Sequence, residues 1–278
     1  RCVTGRRTNN QPAGGWPGFE SIVGQYAIPL RHGLTIGELA RLCNDTLALG
    51  ATLEVLPLQG WQRPMYQDDT GLPWVLPSPN LPTLDSAIVY PGLVLLEGTN
   101  LSEGRGTTRP FELVGAPWLH THRLTEALNA LALPGVHFRP TEFQPAFQKR
   151  AGQTCGGCQL HVSDRKTFQS ITTAVALFEE CRRQAPDHFE WRQPPYEYED
   201  TILPIDILSG SDRLRLELDA GTSHRVIAEG WKPALDEFRT VSARYLLYWQ
   251  DISRYDALLA LRGQPSRMPS HPLDHLRL

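Results

Sequence analysis

The sequence predicts an α/β protein of two domains, and three observations carry that expectation. A capped amphipathic helix followed by a strand-like segment fills residues 35–58, and a nearly continuous apolar run at Ile88–Leu96 has the pattern of a strand covered on both faces. Helix and strand patterns then alternate again beyond residue 118. With 278 residues the chain can bury at least one full hydrophobic core, and a soft prior of ~150 residues per domain gives nearly two domains.

The elements follow in order. In Thr35-Ile36-Gly37-Glu38 the hydroxyl and the carboxylate can each bond the other's backbone N–H, a capping box, with Leu39, Leu42, Cys43 and Leu47 as the apolar face and Gly50 as the stop. Thr52–Leu58 reads as a strand and Ile88–Leu96 as a second, buried one. Between them, residues 60–64 and 72–83 are too rich in proline for helix or central strand and are expected to be ordered loops or linkers. The texture changes after Pro117, which places a domain boundary near residue 118, giving domains 1–118 and 119–278. Beyond it, Leu124–Leu133 reads as a short amphipathic helix, Val136–Arg139 and Gln159–Val162 as strands, and Ser170–Arg183 as a longer helix. An aromatic and acidic loop from Trp191 to Asp200 precedes a helix over Lys232–Tyr248 and a polar tail.

Charge excludes several function classes. With 27 basic against 30 acidic side chains, nothing points to nucleic acid or an anionic membrane as partner. No apolar run approaches the ~20 residues a spanning helix needs, so no membrane span is expected. The chain opens on Arg1 with no apolar signal-peptide core, and its five cysteines form no disulfide framework, though an oxidising compartment would allow one bridge. A serine elbow, a Walker loop and a dinucleotide fingerprint are absent from the sequence, and no cofactor is expected.

Glycine and proline, 23 of each, concentrate in the first 150 residues, where fixed loops can handle a ligand. The densest polar stretch lies there. The apolar run delivers Glu97, and a glycine-punctuated loop then presents Asn100, Ser102, Glu103, Arg105 and Thr107, with Glu112 following. Carboxylates beside a guanidinium suit acid/base work, because the cation can hold one carboxylate ionised while burial raises the pKa of another. Any one carboxylate would equally serve in a network that locks the loop, but three glycines beside so many functional groups favour a site over a lock. Arg31 and His32, next to the capped helix, form a second candidate site for polar substrate groups. Cys155-Gly156-Gly157-Cys158 looks like half a zinc site, but no second pair follows at a suitable spacing, so a turn leading into a strand is expected and no metal. A metal-dependent hydrolase built from Glu97, Glu103, His32 and His161 is the outlying alternative.

Longer strings carry a resemblance. PLRHGLTIGELARL (29–42), GWQRPMY (60–66), LEGTNLSEGRGTTRPFE (96–112), LPGVHFRPTEFQPAFQK (133–149) and CGGCQLHVSDR (155–165) closely resemble the bacterial exo-β-N-acetylmuramidase (NamZ-type) family of peptidoglycan-recycling glycoside hydrolases. The resemblance implies a Rossmann-like domain packed on a smaller α/β domain, a periplasmic or secreted location, and release of N-acetylmuramic acid from the non-reducing end of peptidoglycan fragments. The substrate would be a muropeptide or a MurNAc-GlcNAc disaccharide. Glu97 and Glu103 are the catalytic candidates. Asn80 and Asn100 would bond sugar hydroxyl or acetamido groups, Arg105 with Arg31 or His32 would receive the lactyl carboxylate, and Ser102, Thr107, Glu112 and His161 complete the binding candidates. Upstream, Arg7–Ala13 replaces an Asp-Arg-Pro-Asn-Pro-type segment, and nothing matches a Pro-Glu-His-Gly-type segment whose Glu is a leading candidate for the acid. The chain therefore reads as an N-terminally truncated member, with a non-catalytic muropeptide-binding module as the alternative.

Overall fold

In a computed structural model of the chain, the described residues are 19, 21–24 and 26–248; the Arg7–Ala13 segment and the tail lie outside them. They form two compact units, the larger running to Gly33 and over Gln67–Asp236, the smaller over Leu34–Tyr66 and from Glu237 onward.

The smaller unit holds helix α1, Ile36–Thr46. Its capping box forms as the sequence predicts: the Thr35 hydroxyl accepts from Glu38 N–H at 3.4 Å, and Thr35 N–H donates to Glu38 Oε2 at 2.8 Å. Glu38 is fully buried and also meets Arg63 Nη2 at 2.6 Å and Leu247 N–H at 2.7 Å, so one carboxylate ties the helix start to two distant segments. Residues 52–58 do not form the predicted strand. They run without regular structure, and Leu53, Leu56 and Leu58 are exposed. A period-2 pattern gives a segment a face to bury but supplies no ladder partner.

The larger unit is built on a three-stranded antiparallel sheet, β1 (Leu113–Ala116), β2 (Val136–Phe143) and β3 (Cys155–Val162), in the order β1-β3-β2. Helix α3 (Thr121–Ala130) packs on β2 and β3, and α4 (Ser170–Gln184) packs on α3 and on α2 (Leu84–Leu93). Three short or late helices follow, α5 (Pro204–Ser209), α6 (Arg213–Asp219) and α7 (His224–Ser242), the last beginning eight residues earlier than the sequence pattern places it. Pro140 is accommodated because β2 is an edge strand. Cys155–Cys158 is not a turn but the first half of β3. Its glycines are there for close packing: a Cβ on Gly157 would lie 1.9 Å from Val114 O, and one on Gly156 2.3 Å from Leu119 O. Because β1 pairs with β3, the boundary placed near residue 118 falls inside one unit; the change in Gly and Pro content marks long ordered loops, not a domain edge.

The main correction concerns residues 88–96. They form the end of α2 and a 3-10 turn, Val94–Gly98, rather than a strand. Val89, Leu93, Leu95 and Leu96 are almost fully buried, and a helix buried all round gives the same unbroken apolar run as a strand covered on both faces. Thr83 caps α2, its hydroxyl accepting from Ser86 N–H at 3.1 Å. Near Pro91, which lacks an N–H, the Ser170 hydroxyl donates to Val89 O and accepts from Gly92 N–H, both at 2.6 Å. A Cβ on Gly92 would lie 2.0 Å from Ser170 O, so only glycine lets α4 reach this gap.

Candidate active site

Glu97 is delivered by the buried 3-10 turn, and the segment that follows brings its partners by backbone geometry. Gly104 and Gly106 both have positive φ, +76° and +82°, which coils the loop back on itself and aims Glu103 and Arg105 inward. Gly106 O accepts from Ala146 N–H at 2.9 Å, and a Cβ on Gly106 would lie 2.5 Å from Phe147 O. That close approach carries Lys149 and Arg150 to the site. On the other side, Gly98 O accepts from Arg192 N–H at 2.9 Å and Thr99 bridges to Trp191, which docks the loop bearing Tyr196.

The side chains converge on two carboxyls, Glu97 and Glu103, which are 5% and 2% exposed. Arg105 stands between them, its Nη2 2.6 Å from Glu97 Oε1 and its Nε 3.8 Å from Glu103 Oε1. The guanidinium also lies 5.3 Å from the centre of the Phe111 ring, which fixes its plane. Tyr196 donates its hydroxyl to Glu97 Oε2 at 2.8 Å. The Lys149 ammonium lies 2.7 Å from Glu103 Oε2 and donates to Leu96 O at 2.8 Å and Thr99 O at 3.1 Å.

The environments of the pair differ. Burial raises the pKa of Glu97 and outweighs Arg105, which pulls it down. Burial lowers the pKa of Lys149, against the Glu103 charge that raises it. Burial and the Glu97 charge both raise the Tyr196 phenol, so it is a hydrogen-bond donor and not a phenolate.

Asn100 joins the rim of this cluster. Its Nδ2 donates to His188 O at 2.7 Å, its backbone O accepts from Arg150 Nε at 3.0 Å, and its Oδ1 is buried with no donor among the described residues. A ligand hydroxyl or N–H is the natural complement of such an oxygen.

The other candidates make contacts of their own, several of them scaffolding. Ser102 forms a bridge with Gly115, and its hydroxyl accepts from Gly104 N–H at 3.2 Å. Thr107 closes a turn, donating to Gly104 O at 2.5 Å. The buried Glu112 takes Ser86 Oγ at 2.9 Å, Thr83 Oγ1 at 3.2 Å and Arg109 Nη1 at 3.3 Å, so it anchors the start of α2. Asn80 sits in a local turn, its N–H donating to Ser78 Oγ. Exposed His161 pairs with His137 of β2 and lies four residues along β3 from Gly157, the partner of the Gly115 that Ser102 bridges, a span of about 13 Å. Arg31 is exposed, and half-buried His32 has its pKa lowered by burial. Among the described residues no group of three or more His, Cys, Asp or Glu side chains could hold a metal ion, and no helix is long and apolar enough to cross a membrane.

Sequence reading missed Lys149, Arg150, Arg192 and Tyr196. Arg192 and Tyr196 lay in a segment already marked as unusual, the aromatic and acidic loop from Trp191 to Asp200, and Lys149 closes one of the strings that carry the family resemblance.

Comparison with known proteins identifies the family. The profile of the C-terminal domain of exo-β-N-acetylmuramidase NamZ matches residues 88–248, and that of its N-terminal domain matches residues 12–85. The peptidoglycan β-N-acetylmuramidase NamZ of Bacillus subtilis (strain 168) is 44% identical over 232 residues, 84% of this chain and 54% of that protein. The chain thus spans about half the length of this relative. Two crystal structures of DUF1343 family proteins from Bacteroides fragilis share its mixed α/β fold. One, 30% identical, covers 85% of this chain and 62% of its own with a TM-score of 0.75; the other, 25% identical, covers 84% and 61% with a TM-score of 0.63. With the C-terminal profile alone matching more than half of its residues, the chain belongs to the exo-β-N-acetylmuramidase NamZ family.

Proposed function

We propose that this chain supplies the Glu97–Glu103 part of an exo-acting glycoside hydrolase that releases N-acetylmuramic acid from the non-reducing ends of peptidoglycan fragments. The observation that carries the reading is one guanidinium shared by two buried carboxyls whose other partners differ, a phenol for Glu97 and an ammonium for Glu103. Hydrolysis breaks the glycosidic C1–O bond, protonates the departing oxygen and adds the hydroxyl of water to C1. It needs a carboxyl that retains a proton and one that stays charged. Burial fits Glu97 to hold the proton, and Glu103, 2.7 Å from the Lys149 ammonium, is placed to serve as the second carboxyl. A guanidinium within reach of both keeps the two carboxyls inside the upper separation of about 9.5 Å that glycosidase pairs use.

In this reading Asn100 Oδ1 accepts from a sugar hydroxyl or acetamido N–H, and Arg31, His32 and Asn80 contribute to substrate binding with Arg105. The Rossmann-like architecture, the MurNAc-GlcNAc or muropeptide substrate and a periplasmic or secreted location belong to the same proposal, supported by family membership.

A second reading has its own observation. Both Glu97 oxygens and Glu103 Oε2 already have protein partners, which suits a muropeptide-binding module without turnover. Assaying release of MurNAc from a chromogenic β-N-acetylmuramide separates the two when it is run on this chain and on a full-length relative with the equivalent substitutions. Glu97→Gln and Glu103→Gln are expected to lower kcat by at least about a hundredfold. Unchanged turnover in both variants refutes the catalytic reading, and calorimetric binding of the disaccharide without turnover supports the module.

A further inference from the structure

The two oxygens of Glu97 face different chemistry. Oε1 meets Arg105 Nη2 at 2.6 Å, and a guanidinium has donors only, so a proton on Oε1 would point at another proton. Oε2 meets the Tyr196 hydroxyl at 2.8 Å, and a hydroxyl both donates and accepts. We propose that Tyr196 is the positioning residue for Glu97: its hydroxyl donates to Oε2 when the carboxyl is ionised and accepts from it when the carboxyl is protonated, so the exchangeable proton is carried on Oε2 alone.

The placement of Tyr196 is built in by the fold. Its loop is fixed at one end by Arg192 N–H on Gly98 O and the Thr99–Trp191 bridge, next to Glu97 in the chain. At the other end Tyr196 pairs with Glu199, N–H to O in both directions at 2.8 and 2.9 Å. The residues between them, Glu197 and Tyr198, both have positive φ, +48° and +65°. Two consecutive non-glycine residues in the left-handed region carry a backbone strain that the surrounding contacts must overcome, and the resulting tight turn leaves Tyr196 buried and Tyr198 91% exposed. Arg192 lies over the Tyr196 ring, 5.3 Å from its centre, and restrains it by a cation–π contact.

All the charged groups around the pair bear on its titration. Glu97 is faced by Arg105, Glu103 and Lys149, and Tyr196 by Arg192, Glu197 and Tyr90. On α5, packed against the Val94–Gly98 turn, Asp206 is engaged by Arg215 at 2.9 Å. Among the described residues in contact with Glu97, the Tyr196 phenol is the group that can exchange donor and acceptor roles with its carboxyl without itself changing charge.

This inference goes further than the catalytic reading of Glu97, on which its functional part rests, so the test reads titration and turnover separately. The carboxyl carbon of Glu97 is followed by NMR in 13C-labelled protein, assigned by its loss in Glu97→Gln. Tyr196→Phe removes a bond to the charged form and is expected to raise the midpoint by about one pH unit. Site-specific 3-fluorotyrosine at position 196 strengthens the donor and is expected to lower the midpoint, with no change in shape that could disturb folding. Midpoints that stay put in both proteins overturn the proposal, as does a fluorotyrosine shift in the upward direction. Where the midpoints move as expected, a matching displacement of the kcat–pH profile in a full-length relative carries the proposal into catalysis. An undisplaced profile leaves the positioning role standing and removes Glu97 from the proton transfer.

Discussion

Replacing Lys149 by methionine is the sharpest test of the charge balance in the buried cluster. The ammonium touches Glu103 Oε2 at 2.7 Å and also satisfies Leu96 O and Thr99 O. Without it, Glu103, whose side chain is 3% exposed, is left with the longer Arg105 Nε contact at 3.8 Å, and two carbonyls lose a donor. Removing one partner of a buried ion pair costs roughly 3–5 kcal/mol. Lys149 keeps a side-chain exposure of 20%, which admits some water to the vacated place and sets the expectation near the lower end, about 3 kcal/mol. With a urea m-value of about 3 kcal/mol/M, the midpoint should fall by about 1 M. The midpoint shift, read by tryptophan fluorescence, remains meaningful even if the two compact units unfold in separate steps. The partner experiment is Lys149→Met with Glu103→Leu. Taking away the orphaned charge should restore at least about 2 kcal/mol, because a buried ion pair and a well-packed apolar pair are often of similar stability. A single-variant shift below about 0.3 M, or losses that simply add in the double variant, would refute the buried-pair account.

Three further expectations follow from the same contacts. Gly157→Ala, which brings a Cβ to 1.9 Å from Val114 O, should break the β1–β3 pairing and remove amide hydrogen-exchange protection across Leu113–Ala116, whereas Gly60→Ala, with open space around it, should leave that protection unchanged. At Glu38, burial raises the pKa, but the Arg63, Leu247 and Thr35 donors together outweigh it and leave it lowered. Its folded-state pKa thus lies below the unfolded one, so its stabilisation is complete above about pH 4.3 and is lost as pH falls through the folded value. Glu38→Gln should therefore destabilise by about 2 kcal/mol at pH 7 in urea titrations, with a gap to wild type that closes in acid; a gap independent of pH would exclude the charged role. Burial pushes the Cys158 thiol up to about 12 and also raises Cys181, and both are fully buried, so maleimide labelling of native protein followed by peptide mass spectrometry should spare these two and modify them only after unfolding.

How much of this was legible in advance depends on the range of the interactions. The α1 capping box lies within four consecutive residues and forms as expected. The helix Ser170–Gln184 and the strands Val136–Phe143 and Cys155–Val162 also match their patterns, apart from their ends. At the candidate site, Glu97, Glu103 and Arg105 are close in sequence on one glycine-turned loop, and a local reading brings them together correctly. Glu112 belongs to the same stretch but is consumed by Ser86 and Thr83, a contact 26 and 29 residues away that no local pattern displays.

The sequence by itself determined the capped helix, the Gly-punctuated loop, the clustering of acids with Arg105 and the family, because each is written in neighbouring residues. Tertiary structure decided that residues 88–96 are helix and 3-10 turn, since an unbroken apolar run says only that a segment is buried on all sides and not how its backbone bonds are satisfied. It also decided which oxygens face which donors. Lys149 reaches Glu103 from 46 residues away and Tyr196 reaches Glu97 from 99, each held by backbone contacts to glycines too crowded to bear a side chain. Chemistry that depends on such pairings is fixed by close packing between distant segments, and the order of residues along the chain does not encode it in any local pattern.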